Sequence, residues 1–203
     1  MAILAKALTT TARVKSRLEI ASGTTTWDAL IAELINAATE YIEGECGRVF
    51  LSGTKTNEVY SIENGQKLLP LRAWPVASVS SIQYRAGSIS SPSWTTINAN
   101  DWEIVGDGKM GVIRLLISLN DINALRITYV AGYEIDFTTA ANHTLPYELS
   151  DLCERLAVRA FKKREAEGKD TESASAGGTV TWQKGLSDDD KRILQRYIRQ
   201  IFL

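Results

Sequence analysis

Apolar residues recur every three or four positions near both ends of the chain, and this spacing predicts amphipathic helices there. The strongest runs begin at Trp27, after Pro146 and after Ser187, and a shorter helix is predicted over residues 8–18. Each run carries one apolar stripe, so each helix has one face to bury. The ends of the chain are therefore expected to pack together as a helical bundle.

The expected helix ends are marked by residue types that favour those positions. Thr25 with Asp28, and Ser187 with Asp190, have the three-residue spacing of a capping box. Pro146 fits the first turn of a helix, where its missing N–H breaks no hydrogen bond. Glycine ends helices readily, and the second predicted helix has two near its end, Gly44 and Gly47.

The region between residues 50 and 145 has a different pattern, with short segments rich in β-branched and aromatic residues. Turn-forming pairs such as Asn64-Gly65 and Asp107-Gly108 separate these segments. No helix-length period occurs among them. The pattern predicts an antiparallel sheet or a small sandwich, with strands over Glu58–Ile62, Val76–Tyr84, Trp102–Val105, Val112–Leu116 and Leu125–Val130.

These patterns predict an α+β fold in which one domain is inserted into another. Residues 1–49 and 146–203 form the helical core, and residues 50–145 form the inserted β module. Within the helical part, the small and polar composition of residues 168–186 predicts a mobile loop. That loop contains a strand-like run at Thr179–Trp182.

Composition narrows the classes of function. The chain has 203 residues, with 23 Lys and Arg against 24 Asp and Glu. A net charge of −1 gives no general attraction to nucleic acid or to anionic membranes. No apolar run reaches the about 18 residues of a membrane span. Two cysteines, Cys46 and Cys153, are too few for a disulfide scaffold and predict a reducing, intracellular environment.

A search for catalytic or metal-binding motifs gives no candidate, so we expect no enzyme, no metal and no cofactor. His143 has no second ligand nearby in sequence and is predicted to be a solvated loop residue. Gly106–Gly111 lacks the spacing of a phosphate-binding loop and fits a hairpin turn. The acidic run Asp188–Asp190 is better explained by the dipole of the helix that it begins, and Glu40, Glu43 and Glu45 are expected on a solvated helix edge.

Basic residues are arranged in two helical stripes. Arg155, Arg159 and Lys162 follow one stripe, and Arg192, Arg196 and Arg199 follow the other. One interpretation is that both stripes are solvated basic faces. On the helix after Pro146, nearby acids would partly neutralise the stripe; they are Glu154, Glu165 and Glu167. The other is a surface that faces a polyanion once it is repeated by symmetry. Spacing alone leaves both open.

The order of these segments carries a resemblance to a known family. The segments are Leu8–Leu18, Leu30–Gly44 with Cys46–Arg48, Leu69–Val79, Ile127–Tyr133, Leu145–Leu149 and Thr179–Trp182 before a closing helix. Together they resemble the head–tail connector, or adaptor, proteins of tailed bacteriophages, in the long form with an inserted β region. The resemblance covers nearly the whole chain, and its strength lies in the order of weak motifs.

The resemblance implies a structural virion protein at the head–tail junction, present in the host cytoplasm during assembly. Such proteins form a ring, expected to be dodecameric, that binds the portal protein and a downstream neck or tail component and lets double-stranded DNA pass without sequence recognition. Residues 161–203 would face the portal. The docking candidates are Val180, Trp182, Tyr197 and Phe202, and the DNA-channel candidates are Arg155, Arg159, Lys162, Arg192, Arg196 and Arg199.

Three alternatives stay open at this point. Trp182 could fold back onto its own domain instead of anchoring a partner. The chain could be another neck or tail-completion protein, such as a stopper, although no long or proline-rich gate loop is present. It could also be a nucleic-acid-binding module that uses the two basic helices.

Overall fold

The computed structural model describes residues 2–63, 65–87, 91–118, 124–164, 171–173, 179–181 and 186–198. The helices are α1 (Thr11–Arg17), α2 (Asp28–Cys46), α3 (Tyr147–Lys163) and α4 (Asp188–Gln195). The strands are β1 (Gly53–Tyr60), β2 (Leu68–Pro70), β3 (Val76–Gly87), β4 (Pro92–Thr96), β5 (Trp102–Ile104), β6 (Val112–Leu115), β7 (Leu125–Ala131), β8 (Thr171–Ser173) and β9 (Thr179–Thr181). The α+β class predicted from the sequence is confirmed.

The chain divides into two compact units. Residues 1–48 and 135–200 form the helical unit, and residues 49–134 form the β unit. The β unit is thus inserted between the second and third helices of the helical unit.

The helical unit is built around α2. One side of α2 buries Ile31, Ile35 and Ile42 completely, as the spacing of its apolar residues predicts. The helix ends at Gly47, whose φ of 63° is the left-handed conformation that glycine adopts without strain. Gly44 lies inside the helix rather than at its end.

Two of the predicted helix starts are wrong in detail. No capping box forms at Thr25, because Trp27 occupies the N-cap of α2 and makes no side-chain cap. Asp28 is bound instead to the buried Lys15, whose Nζ lies 2.8 Å from Asp28 Oδ1. Pro146 is the N-cap residue of α3 rather than its first helical residue. The capping box of Ser187 and Asp190 is confirmed at the start of α4.

The β unit contains two antiparallel sheets. The larger sheet has the order β1-β7-β3-β4, and the smaller has the order β2-β6-β5. All five predicted strands are present within a few residues, but β2 and β4 were not predicted from the sequence. β4 is an edge strand that begins at Pro92. Proline is tolerated there because the outer side of an edge strand forms no backbone hydrogen bonds with another strand.

The turn predicted around Asp107-Gly108 connects the antiparallel strands β5 and β6. Gly108 has a φ of 78°, and a Cβ atom added there would lie 2.0 Å from the Val76 carbonyl oxygen. Only glycine lets the turn approach the start of β3 this closely. Asp107-Gly108 thus forms the turn between β5 and β6, and Gly108 also packs against the start of β3.

The core of the β unit is apolar and is closed by two tyrosines. Ile82, Ile113, Leu125, Ile127 and Tyr129 are completely buried. The Tyr60 and Tyr129 hydroxyls donate to Glu58 Oε2 at 2.6 and 2.8 Å. Burial, reinforced by the Glu58 carboxylate, raises the pKa of Tyr60 to about 12 and raises that of Tyr129 further.

The segment predicted as a loop over residues 168–186 is described only in part. Thr171–Ser173 and Thr179–Thr181 pair as the antiparallel strands β8 and β9. β8 was not predicted from the sequence, while the strand-like run predicted at Thr179–Trp182 is confirmed over residues 179–181. The rest of this segment lies outside the described residues.

Candidate interaction site of the helical unit

Asp190 joins α3 to α4 and is completely buried. Arg159 Nη1 donates to Asp190 Oδ2 at 2.6 Å, and Arg155 Nη1 lies 2.8 Å from Oδ1. The backbone N–H of Ser187 donates to the same carboxylate at 3.1 Å, within the capping box. Burial opposes ionisation of Asp190, but the hydrogen bonds from Arg159 and Ser187 outweigh it and lower its pKa.

Glu154 holds α1 against α3 in the same way and is also buried. Arg13 Nε donates to Glu154 Oε1 at 2.6 Å, and Arg17 Nε donates to Oε2 at 2.5 Å. The Thr9 hydroxyl adds a third hydrogen bond at 3.0 Å. Each oxygen of this buried carboxylate is therefore satisfied, which is the condition for a buried ion pair to be tolerated.

Asp151 connects the two sets of contacts. It forms ion pairs with Arg17 and with Arg155, the latter at 3.0 Å. One continuous network thus runs from α1 through α3 to α4. Its cations, which we call the arginine row, are Arg13, Arg17, Arg155 and Arg159.

The arginine row is the exposed side of this network. Its side chains keep 28–38% of their surface accessible, whereas those of Glu154 and Asp190 keep 3% and 0%. The buried acids thus fix the guanidinium groups from beneath, and the four arginines outnumber the three acids. Chemically, the row is a rigid, weakly cationic surface that could bind carboxylates or phosphates.

The structure places the predicted basic residues in three different environments. Arg155 and Arg159 belong to the arginine row and are both bound to Asp190, and Arg155 also pairs with Asp151. Arg196 is exposed and lies 2.7 Å from Glu148. Lys162 is exposed, and Arg192 is exposed and lies 3.5 Å from Asp189. Arg199 lies outside the described residues.

Of the predicted docking residues, Tyr197 is the one whose side chain is described. Its hydroxyl donates to Glu148 Oε1, so it connects the end of α4 to the start of α3. Val180 lies in β9, and its side chain is not described. Trp182 and Phe202 lie outside the described residues.

Arg13 and Arg17 were not singled out from the sequence, although they form half of the arginine row. Their i, i+4 spacing on a predicted helix was the available signal, because such residues share one face. Their partner Glu154 lies 141 and 137 positions away along the chain. No local pattern connects residues so far apart.

His143 is not the solvated loop residue that the sequence predicted. Its ring packs between Phe137 and Tyr147, with centroid distances of 4.8 and 5.2 Å. Neither ring nitrogen has a hydrogen-bond partner among the described residues. Glu43, expected on a solvated helix edge, is likewise buried and forms an ion pair with Lys6 at 2.8 Å.

Both cysteines are buried and form no disulfide. Burial raises the pKa of Cys46 to about 11 and that of Cys153 to about 12. Within the described ranges, no group of three or more potential metal ligands occurs. The described helices include none that is long and apolar enough to cross a membrane.

The profile of one protein family, described as head completion protein, matches residues 7–199. The chain belongs to the head completion protein family. The matched region includes all four helices and all nine strands. Membership in the head completion family confirms the structural virion class that the sequence resemblance implied.

Solved structures with the fold of this head completion protein come from a phage-like particle, the gene transfer agent (GTA). A chain from the neck of an empty GTA particle, computed with C6 symmetry, has a TM-score of 0.62 and 17% identity. A chain from the virion of the native GTA particle has a TM-score of 0.57 and 16% identity. Each match covers 100% of this chain and 95% of the other. No curated protein is significantly similar to the chain.

Proposed function

We propose that this head completion protein is a subunit of a ring at the portal vertex, where it joins the DNA-filled head to the tail and extends the DNA channel. The family match over residues 7–199 carries the proposal. The similarity of fold to a neck chain computed with C6 symmetry supports a cyclic arrangement. A dodecamer, expected from the connector resemblance, is compatible with sixfold symmetry.

The charge distribution fits a channel through which DNA must slide. A surface that bound phosphates tightly would hold the genome, because each neutralised phosphate adds affinity. The chain has almost equal numbers of basic and acidic residues. Lys162, Arg192 and Arg196 are exposed and remain DNA-facing candidates, although Arg196 also pairs with Glu148, and Arg199 lies beyond the described residues. Arg155 and Arg159 are held by Asp190, which favours a structural role for them.

We further propose that the segment after α3 binds the portal protein and that another face binds the next neck or tail component. Val180, Trp182 and Phe202 remain docking candidates, while Tyr197 is held by Glu148 and is assigned to positioning the end of α4. The proposed role is non-enzymatic, needs no cofactor and lies at the head–tail junction.

The native mass of the purified protein across concentration, with negative-stain images of large species, tests the ring. Closed rings with an open centre would support the proposal. If the purified protein is monomeric, a portal-binding assay tests the proposal, and DNA binding measured at two salt concentrations serves as the control. A monomer that ignores the portal but binds DNA tightly at low salt would contradict the proposal and favour a DNA-binding module.

Deleting Lys169–Gly185 separates docking from folding. We expect the helical unit to keep its fold, because the Asp190 network lies outside the deletion, and docking onto the portal to be lost. Circular dichroism and portal binding measure the two effects. Assembly of infectious particles by the deletion variant would contradict the assignment of docking to this segment.

A further inference from the structure

We infer that the arginine row of one copy binds the exposed face of α2 in the neighbouring copy. This inference rests on the proposed ring, and it names the surfaces that would join its subunits. Both surfaces belong to the helical unit. We assign the α2 face to a second copy of this chain because its charge is complementary to that of the arginine row.

The exposed face of α2 is acidic and has small residues between the acids. The helix has no lysine or arginine. Of its five acidic residues, Asp28 and Glu43 are paired with Lys15 and Lys6, whereas Glu33, Glu40 and Glu45 are exposed. Glu33 and Glu40 are exposed and form no ion pair with a described residue. Ala37 and Gly44 are exposed on the same face, so a neighbouring helix could approach closely. We call these four residues the acidic face.

The arginine row is chemically complementary to the acidic face, and its side chains are already fixed in the free protein. Arg13 contacts Glu154 through Nε, and Arg159 contacts Asp190 through one Nη atom, so other N–H groups remain for a partner. The buried acids already fix these side chains in the free protein. Binding a neighbour therefore costs little further side-chain entropy. Arginine is enriched among the residues that dominate interface energetics.

The row suits discrete carboxylates better than a continuous polyanion. Asp151 lies within the row and keeps 42% of its side-chain surface. It would repel a phosphate backbone running along the row, whereas two glutamates of a helix can contact the arginines on either side of it. Double-stranded DNA is the competing ligand, and the experiment below includes it.

The two surfaces are different parts of one copy, which is what a ring interface needs. A ring uses a heterologous interface, in which each subunit contacts its neighbours through two different surfaces. Glu33, Ala37 and Glu40 lie on the side of α2 opposite Ile31, Ile35 and Ile42, which are buried in the helical unit. The arginine row is on α1 and α3, and α3 packs against the buried side of α2, where Cys153 contacts Ile35 and Thr39. The two surfaces therefore share no residue, so one copy can use both.

Charge reversal on the acidic face tests the inference without touching the buried network. We expect Glu33→Lys and Glu40→Lys each to weaken self-association at low salt by about tenfold. Glu63→Lys, an exposed site in the β unit, carries the same change in net charge and should leave self-association unchanged. Sedimentation across concentration measures all three. Equal association by all variants would overturn the inference.

Disulfide cross-linking locates the contact directly. Ala37→Cys lies on the acidic face, and Ser16→Cys lies on α1 between Arg13 and Arg17 in sequence; both sites are exposed. The native cysteines are buried with raised pKa values, so they should not react. We expect mixed oxidation of the two variants to give a heterodimer, and Ser61→Cys, an exposed control, to give none with either.

The outcomes separate this inference from the proposed function. Rings that form without the Ser16→Cys to Ala37→Cys bond would overturn the inferred surface and leave the neck role supported. Duplex DNA that protects Ser16→Cys from alkylation, with Ala37→Cys still reactive, would assign the row to the polyanion instead. A protein that stays monomeric at low salt and at its highest soluble concentration also overturns the inference, while portal binding still decides the function.

Discussion

The two units of the chain differ in what their interiors contain. Every buried charged residue among those described lies in the helical unit, namely Lys15, Glu43, Arg48, Glu154 and Asp190. The described core of the β unit is apolar, with the hydroxyls of Tyr60 and Tyr129 gathered on the partly buried Glu58. Buried ions are a poor source of stability but fix geometry strictly. The helical unit, which carries the arginine row, is therefore the unit built on buried charge.

This difference implies that different kinds of substitution destabilise the two units. The helical unit should be sensitive to the loss of one charge, because the remaining partners stay buried. The β unit should be sensitive to changes in volume, because its interior is close-packed. Hydrogen exchange measured separately on peptides from each unit can distinguish the two responses.

The largest effect is expected for Asp190→Asn. The substitution removes the charge that holds Arg155 and Arg159, and it should destabilise the helical unit by about 3 kcal/mol. Asp189→Asn is the matched control, because Asp189 is 81% exposed and should change stability by less than about 0.5 kcal/mol. Denaturant unfolding checks both, and equal effects would contradict the assigned role of Asp190.

The same carboxylate sets the response of the helical unit to acid. The pKa of Asp190 is lower in the folded chain than its usual value. Its contribution is therefore present at neutral pH and is lost as the pH falls from the ordinary aspartate range through the lowered value. Asp190→Asn should flatten the pH dependence of stability in that window.

A comparable effect in the β unit is expected for Gly108→Ala. The added methyl group would meet the Val76 carbonyl oxygen, and the positive φ adds strain, for a cost of about 2–3 kcal/mol. Gly106→Ala is the control, because Gly106 also has a positive φ but a Cβ atom there would come no closer than 3.9 Å to Met110 Sδ. If the two variants lose the same stability, the close approach of the turn to β3 contributes nothing.

The smallest effect is expected for Tyr129→Phe. The variant loses the hydrogen bonds to Glu58 and Tyr60 but keeps the ring, so about 1–2 kcal/mol of stability should be lost. In the wild-type protein the raised tyrosine pKa values give the opposite pH response to Asp190. Stability from Tyr60 is complete below its usual pKa near 10 and is lost as the pH rises through about 12. Alkaline unfolding monitored by tyrosine absorbance checks this.

The sequence predicted those parts of the fold whose causes are local. The stripes of α2 and α3, the cap at Ser187 and the turn at Asp107-Gly108 each depend on residues a few positions apart. β2 was missed because three residues are too few to show alternation, and β4 because its proline argued against a strand. The capping box at Thr25 did not form because α2 begins at Asp28, with Trp27 as its N-cap residue, and Asp28 is paired with Lys15.

The candidate site was harder to predict because its partners are distant. Spacing identified Arg155 and Arg159 as members of one stripe, but it did not reveal Asp190, the buried acid that binds both. The actual partner of Arg159 is 31 positions away. Burial also inverted expectations for Glu43 and His143, since an isolated helix or loop gives no sign of which side will be covered.

The ion pair between Arg159 and Asp190 also bears on how this protein could vary between relatives. It ties together the two ends of the segment that contains β8 and β9, so the helices do not depend on that segment for their placement. For a tethered loop, each doubling of length costs only about 0.6 kcal/mol of closure entropy. Insertions or replacements there should therefore change the free energy of unfolding little. The segment could then diverge in sequence without disturbing the helical unit.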